Sequence, residues 1–76
     1  MISNEMAAKF NLPPISEYPF GEKIYYHTFL IQSDYVANKI AESLYLNEDL
    51  DEDYTDILLA RKFAREKINE LKEENE

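Results

Sequence analysis

Three aspartates, Asp49, Asp51 and Asp53, have the alternate spacing with which a calcium-binding loop begins. A loop that starts at Asp49 would have Tyr54 where a glycine is needed for the sharp turn. It would also have Ala60 where a bidentate glutamate belongs, and other starting points fail at the same last position. We therefore predict no metal site here, but a solvated turn whose acids complement the dipole of the helix that follows.

His27 is the only histidine, and its chemistry would be that of a general base or a metal ligand. The chain has no cysteine and no second histidine to join it, and the spacing places no serine against it. Catalysis needs such partners in defined geometry. We therefore predict a surface histidine, no enzymatic activity and no cofactor.

The charge pattern argues against a nucleic-acid-binding protein. The chain has sixteen acids against eight bases, for a formal charge of -8. Residues 47–56 contain six acids and no base, whereas residues 57–72 contain five bases and two acids. A phosphate-binding protein needs an excess of basic residues. The basic face formed by Arg61, Lys62, Arg65 and Lys67 is therefore expected to pair with the acidic turn, within the chain or between subunits.

An aromatic cluster in the N-terminal half could in principle stack on single-stranded bases. Such platforms accompany a positive groove, and only Lys23 is close to it in sequence. We favour packing against the chain's own helices or against a partner protein. The cluster comprises Tyr18, Phe20, Tyr25, Tyr26 and Phe29.

The length predicts a protein that needs help to be stable. A chain of 76 residues buries roughly 60% of its unfolded surface, and without cysteine it has no disulfide to stabilise it. Oligomerisation or docking on a partner is the expected alternative. The longest apolar run, residues 57–60, has four residues, so no membrane association is predicted.

Apolar residues in the second half recur with helical spacing. The first helix, about residues 33–46, has the stripe Val36, Ala37, Ile40, Ala41 and Leu44. Ser33 or Thr28 would cap its start, Asp34 would complement its dipole, and Asn47 would form a left-handed C-cap.

A second helix is predicted to begin near residues 53–55 and to end near Leu71. Its stripe consists of Ile57, Ala60, Ala64, Ile68 and Leu71, and Lys62 could pair with Glu66. The fold class is therefore mainly α. Residues 28–76 are expected to form an antiparallel two-helix hairpin, with helices at about 33–46 and 54–72.

Residues 1–27 are predicted to form an irregular, extended arm rich in proline and aromatic residues. The segment admits a short helix at about residues 3–10, and residues 18–21 form a turn. Residues 23–28 have strand propensity without a partner strand in the chain. We expect the arm to dock on another chain; the alternative is that it folds back over its own helices and closes a small core.

Four short motifs follow one another in the second half of the chain. They are Phe29-Leu30-Ile31-Gln32-Ser33-Asp34-Tyr35, Lys39-Ile40-Ala41-Glu42, Tyr54 with Asp56-Ile57-Leu58, and Arg61 with Ala64-Arg65 and Ile68-Asn69-Glu70-Leu71. With these motifs, about residues 29–71 resemble a short helical hairpin found in small proteins of tailed bacteriophages. The resemblance implies a non-enzymatic component of the viral tail, or a tail-fibre assembly factor, that binds other tail proteins. It would be located in the virion or, during assembly, in the host cytoplasm.

The resemblance implies structural roles for several polar residues. Ser33 and Asp34 would start the first helix, and Tyr35 would pack beside the second helix. Lys39 or Glu42 could pair with Arg61 or Arg65 across the hairpin.

Contacts with other tail proteins, or with further copies of the chain, are predicted for one set of apolar residues. The alternative function is an acidic inhibitor that mimics nucleic acid, which the charge of -8 favours and the basic second helix disfavours. The predicted contact residues are Ile15, Tyr18, Phe20, Tyr25, Tyr26, Phe29, Ile40, Leu44, Ala64 and Ile68.

Overall fold

The protein is mainly helical, as the sequence predicts. The computed structural model describes residues 1–74, and side chains as far as Leu71. Within residues 1–74 there is no strand, and the one 3-10 turn is Ile15–Glu17. The four α-helices of this part are α1 (Asn4–Lys9), α2 (Glu22–Gln32), α3 (Asp34–Leu46) and α4 (Thr55–Glu74).

The strand prediction for residues 23–28 is wrong, because these residues lie in α2. Tyr25, Tyr26 and Phe29 share the buried side of this helix and are 0–7% exposed. Two further apolar residues, Ile24 and Ile31, lie in the open at 51% and 72% exposure. The helical period is therefore hard to see in the sequence, and burial of three aromatic rings outweighs the strand propensity of the segment.

Helix α4 packs along α2, and the hairpin of α3 on α4 is not confirmed. The predicted stripe of α4 is correct in its first half, where Ile57, Ala60 and Ala64 are buried. The two alanines let the aromatic side of α2 approach closely. The rings of Tyr26 and Phe63 meet edge to face, with centroids 5.8 Å apart.

The N-terminal residues complete the core of this single chain. Ser3 caps α1 by accepting a hydrogen bond from the Met6 N–H at 3.1 Å, so the predicted short helix is present. Phe10 and Leu12 are 2% and 6% exposed, and the ring of Phe10 meets that of Phe29 edge to face at 5.4 Å. Phe10 and Leu12, which belong to the predicted arm, therefore lie in the core of the chain.

Contacts of Tyr18 and Tyr25 hold the connection between α1 and α2 in place. The Tyr25 hydroxyl donates a hydrogen bond to the carbonyl oxygen of Pro13 at 2.9 Å. The ring of Tyr18 packs on that of Tyr25, with centroids 5.1 Å apart. Gly21 then precedes α2 as its N-cap residue, with a φ of +92° that residues with a side chain rarely adopt.

The end of α3 and the start of α4 form as predicted. Asn47 adopts the left-handed conformation with a φ of 56°, and the Glu48 N–H donates to the Ser43 carbonyl at 2.9 Å, which closes α3. The Asp53 carboxylate accepts hydrogen bonds from the backbone N–H and the hydroxyl of Thr55, at 2.9 and 2.6 Å. These two bonds lower the pKa of Asp53 below its ordinary value.

A buried arginine joins α4 to the junction between α2 and α3. The Arg61 guanidinium donates to the Leu30 carbonyl at 2.8 Å and to the Ser33 Oγ at 2.6 Å. It also lies 3.5 Å from a carboxylate oxygen of Asp34. Burial lowers the pKa of Arg61 and the nearby Asp34 opposes this shift, but an arginine stays charged at any ordinary pH.

The N-cap role predicted for Ser33 is wrong. Its side chain makes no capping hydrogen bond to α3. Instead, the fully buried hydroxyl donates back to the Phe29 carbonyl at 2.7 Å and accepts from Arg61. Among the residues whose side chains are described, no buried side-chain nitrogen or oxygen lacks a hydrogen-bond partner.

Replacing Arg61 by methionine should lower the free energy of unfolding by about 2–3 kcal/mol, because two hydrogen bonds to a charged donor are lost. Lysine at this position should recover only part of the loss, since one ammonium group does not match the fork of the guanidinium. Urea denaturation followed by circular dichroism measures both effects.

The matched control is Arg65→Met, which removes an exposed cation from the same helix and should change stability by no more than about 0.5 kcal/mol. Equal losses in the two methionine variants would show that the junction does not depend on Arg61.

Stability should fall in alkali because of Tyr25 and Tyr26. Burial raises the pKa of each phenol above the ordinary value of 10.0. A raised pKa in the folded state means that the stabilisation is complete below pH 10.0 and is lost as the pH rises through the folded-state value. Urea denaturation between about pH 8 and pH 11.5 measures this decline.

Tyr25→Phe should weaken the alkaline decline and cost about 1 kcal/mol at neutral pH, because the Pro13 carbonyl loses its donor. The control is Tyr45→Phe, at a side chain that is 89% exposed. An unchanged alkaline decline in the double variant Tyr25→Phe/Tyr26→Phe would contradict the assignment.

Candidate protein-docking surface

The apolar stripe of α3 runs from the core into the open. Val36, near the start of the helix, is 1% exposed and Ile40 is half-buried. Leu44, one turn further along the same stripe, is 78% exposed. The chain therefore covers the beginning of this stripe and leaves its end without a cover.

Three further apolar side chains surround the end of α3. Tyr45 and Leu46 are the last residues of α3 and are 89% and 50% exposed. Leu50 is 41% exposed and lies in residues 47–56, which we call the acidic segment. We call Leu44, Tyr45, Leu46 and Leu50 the distal surface. Several exposed apolar residues at one end of a helix mark an interaction site more often than residues scattered singly over the surface do.

The shape of the chain agrees with an uncovered end. Its Cα radius of gyration is 13.7 Å, whereas a compact domain of this length has about 11 Å. Its principal extents are 41 × 26 × 16 Å, so the chain is long and narrow. A partner could thus reach the distal surface without disturbing the core.

A groove of about 270 Å³ lies between α3 and the acidic segment, and we call it the acidic groove. Leu46, Leu50 and Tyr54 supply its apolar lining. The hydroxyl of Ser43 donates to the Glu48 carbonyl, which holds the acidic segment against the end of α3. Within residues 1–74, no group of three or more histidines, cysteines or acids is arranged to hold a metal ion.

The groove has an acidic rim. Glu42 contributes to it from α3, and Glu48, Asp49 and Asp51 contribute from the acidic segment. Lys39 is the one base in the lining. The groove therefore combines an apolar interior with an excess of negative charge.

Four of the predicted partner contacts lie inside the chain. Tyr25, Tyr26, Phe29 and Ala64 are at most 7% exposed and belong to the core. Their prediction as surface contacts is wrong, because α2 and α4 bury these side chains against each other.

The other six predicted partner contacts are exposed or half-buried. Ile15, Phe20 and Leu44 are exposed at 38%, 66% and 78%, and Leu44 belongs to the distal surface. Tyr18, Ile40 and Ile68 are half-buried and pack against the core. The use of these residues in binding stays a prediction.

The predicted packing of Tyr35 and the predicted cross-hairpin pairs are not observed. Tyr35 is 56% exposed, and its ring lies 6.1 Å from that of Phe10 rather than beside α4. Lys39 and Glu42 line the acidic groove instead of pairing with α4. The partner of Arg61 is Asp34, and Arg65 is exposed.

The basic residues of α4 are used differently from the prediction. Arg61 faces the α2–α3 junction rather than the acidic turn. Lys67 pairs with Glu70 at 3.3 Å, and this bond and charge raise the pKa of Lys67. His27 is an exposed residue of α2.

Sequence reasoning missed Tyr45, Leu46, Leu50 and Tyr54 as candidate site residues. The available signal is the presence of Leu50 and Tyr54 among six acids, because a purely solvated turn has no need of large apolar side chains. Tyr45 and Leu46 lie off the predicted stripe of α3, so periodicity alone does not find them.

In the part of the chain that the structure describes, no helix is both long enough and apolar enough to cross a lipid bilayer. No protein-family model matches the chain, and neither a curated protein nor a solved structure matches it.

Proposed function

We propose that the chain is a non-enzymatic protein-binding module that acts through its distal surface. The observation that carries the proposal is the exposure of Leu44, 78%, on the same helical stripe as the buried Val36. A stripe that is continuous in sequence but only half covered has the form expected of a helix that completes its packing on another molecule.

The completeness of the core supports this division of roles. Phe10, Phe29 and Ala64 pack together without help from the second half of α3. Leu44, Tyr45 and Leu46 are therefore not needed for the core of the single chain. Exposed leucine and tyrosine side chains lower solubility, so their presence is best explained by a partner.

The biological setting we propose is a tail component or tail-fibre assembly factor of a tailed bacteriophage. This part rests on the resemblance of residues 29–71 and places the chain in the virion or, during assembly, in the host cytoplasm. The residues of that resemblance include Ser33, Asp34 and Arg61, whose contacts hold the α2–α3 junction. They would set the direction in which α3 presents its distal surface to another tail protein.

The alternative function is an acidic protein that mimics nucleic acid. It is favoured by the acidic segment, in which Glu48, Asp49 and Asp51–Asp53 are exposed. The exposed leucines beside these acids favour a partner with apolar as well as charged surface, which supports the first proposal.

Photo-crosslinking tests the proposal. A benzophenone amino acid at position 45 should trap a tail protein when the variant chain is made in host cells that also produce the other tail proteins, because Tyr45 belongs to the distal surface and is 89% exposed. The same amino acid at Lys9, an exposed residue of α1, is the matched control. Mass spectrometry identifies the trapped protein.

The position of the gene gives an independent outcome. A gene among tail genes, together with a tail protein trapped only at position 45, supports the proposal. A gene in an early anti-host cluster, with a nucleic-acid-binding host protein trapped instead, would favour the mimic.

A further inference from the structure

We infer that the acidic groove binds a lysine- or arginine-rich amphipathic helix of the partner protein. This inference rests on the proposed function and adds the chemistry of the partner. The helix of the partner would lie between α3 and the acidic segment.

The groove offers such a helix an apolar lining. Leu46 and Leu50 are 50% and 41% exposed, so burial by a partner would remove apolar surface from water. Tyr54 is half-buried and packs against the core, which gives the groove a firm base. A helix that inserts apolar side chains at successive turns is a common occupant of a groove of this kind.

The charge of the rim selects a cationic occupant. Four carboxylates, of Glu42, Glu48, Asp49 and Asp51, face one ammonium group, that of Lys39. Complementary charge speeds association and excludes acidic competitors, because like charges brought together in an interface repel.

A second copy of the chain does not fit the groove in a two-fold arrangement. A two-fold dimer brings the same patch of both copies together. The acidic segments of residues 47–56, each with six acids and no base, would then face each other. The repulsion would oppose the gain from burying the leucines.

Among the side chains that the structure describes, a head-to-tail arrangement finds no concentrated basic surface, since Lys9 and Lys23 are single exposed bases of α1 and α2. Arg61 is buried and bound to the α2–α3 junction, and Lys67 is paired with Glu70. Lys62 and Arg65 remain exposed on α4, but the exposed Glu66 lies next to them in sequence. The cations that the groove requires are therefore best supplied by a different protein.

Fluorescence anisotropy with two designed peptides tests the inference. One labelled peptide of about 18 residues, or five helical turns, carries leucine along one face and lysine elsewhere; its counterpart carries glutamate in place of lysine. The lysine peptide should bind at least about tenfold more tightly, and its affinity should fall as salt is raised from about 50 to about 300 mM.

Two matched pairs of variants distinguish binding of the lysine peptide in the groove from its general electrostatic attraction to an acidic protein. Leu50→Asn should weaken binding of the lysine peptide by about tenfold, whereas Ile24→Asn, at a similarly exposed residue of α2, should not. Asp49→Asn/Asp51→Asn should weaken binding more than Glu5→Gln/Glu17→Gln, which removes the same charge elsewhere.

Three results would overturn the inference. These are no binding of the lysine peptide, equal weakening by the two members of either pair, and a groove-dependent dimer of the chain alone in sedimentation velocity. A tail protein trapped at position 45 would still support the proposed function in each case. Conversely, groove-dependent peptide binding would stand even if no tail protein were trapped.

Discussion

The contact on which the remainder of the structure depends is that of Arg61 with the α2–α3 junction. Its guanidinium donates a hydrogen bond to the Leu30 carbonyl near the end of α2, where backbone carbonyls lack partners within the helix. The cation also lies at the negative end of the α2 dipole, and the Asp34 carboxylate lies at the positive end of the α3 dipole. One side chain thus stabilises the end of one helix and is linked to the start of the next.

This junction determines what the chain leaves exposed. Ser33 is the single residue between α2 and α3, and its buried hydroxyl, held by Phe29 and Arg61, fixes how the chain enters α3. Helix α4 packs along α2 far more extensively than α3 packs on either helix. The stripe of α3 is therefore covered only at its beginning, and Leu44 lies in the open for a geometric reason.

Local signals in the sequence were sufficient for helices whose ends carry their own chemistry. Asn47 acts through backbone groups a few residues away, so its role as a C-cap was predictable without knowledge of the fold, and the acids before α4 indicated where that helix begins. The pairing of helices is different. An amphipathic stripe indicates that one face of a helix is buried, but it does not indicate which other helix buries it. Both α2 and α3 could have covered α4, and the choice depends on aromatic packing between residues far apart in sequence. The hydrogen bond from Arg61 to the Leu30 carbonyl, 31 residues earlier in the chain, was unpredictable for the same reason.

The acidic segment shows how a structural need and a binding role can share residues. Acids that precede α4 stabilise the positive end of its dipole, and the Asp53 carboxylate also accepts hydrogen bonds from the backbone N–H and the hydroxyl of Thr55. Asp49 and Asp51 precede the cap, and together with Glu48 they surround a lining of leucine and tyrosine. A helix N-terminus alone does not require apolar side chains among its acids. Leu50 and Tyr54 form a groove there with Leu46, so the acids of this segment surround an apolar surface in addition to preceding a helix. A cationic amphipathic partner would contact both the apolar surface and the acids.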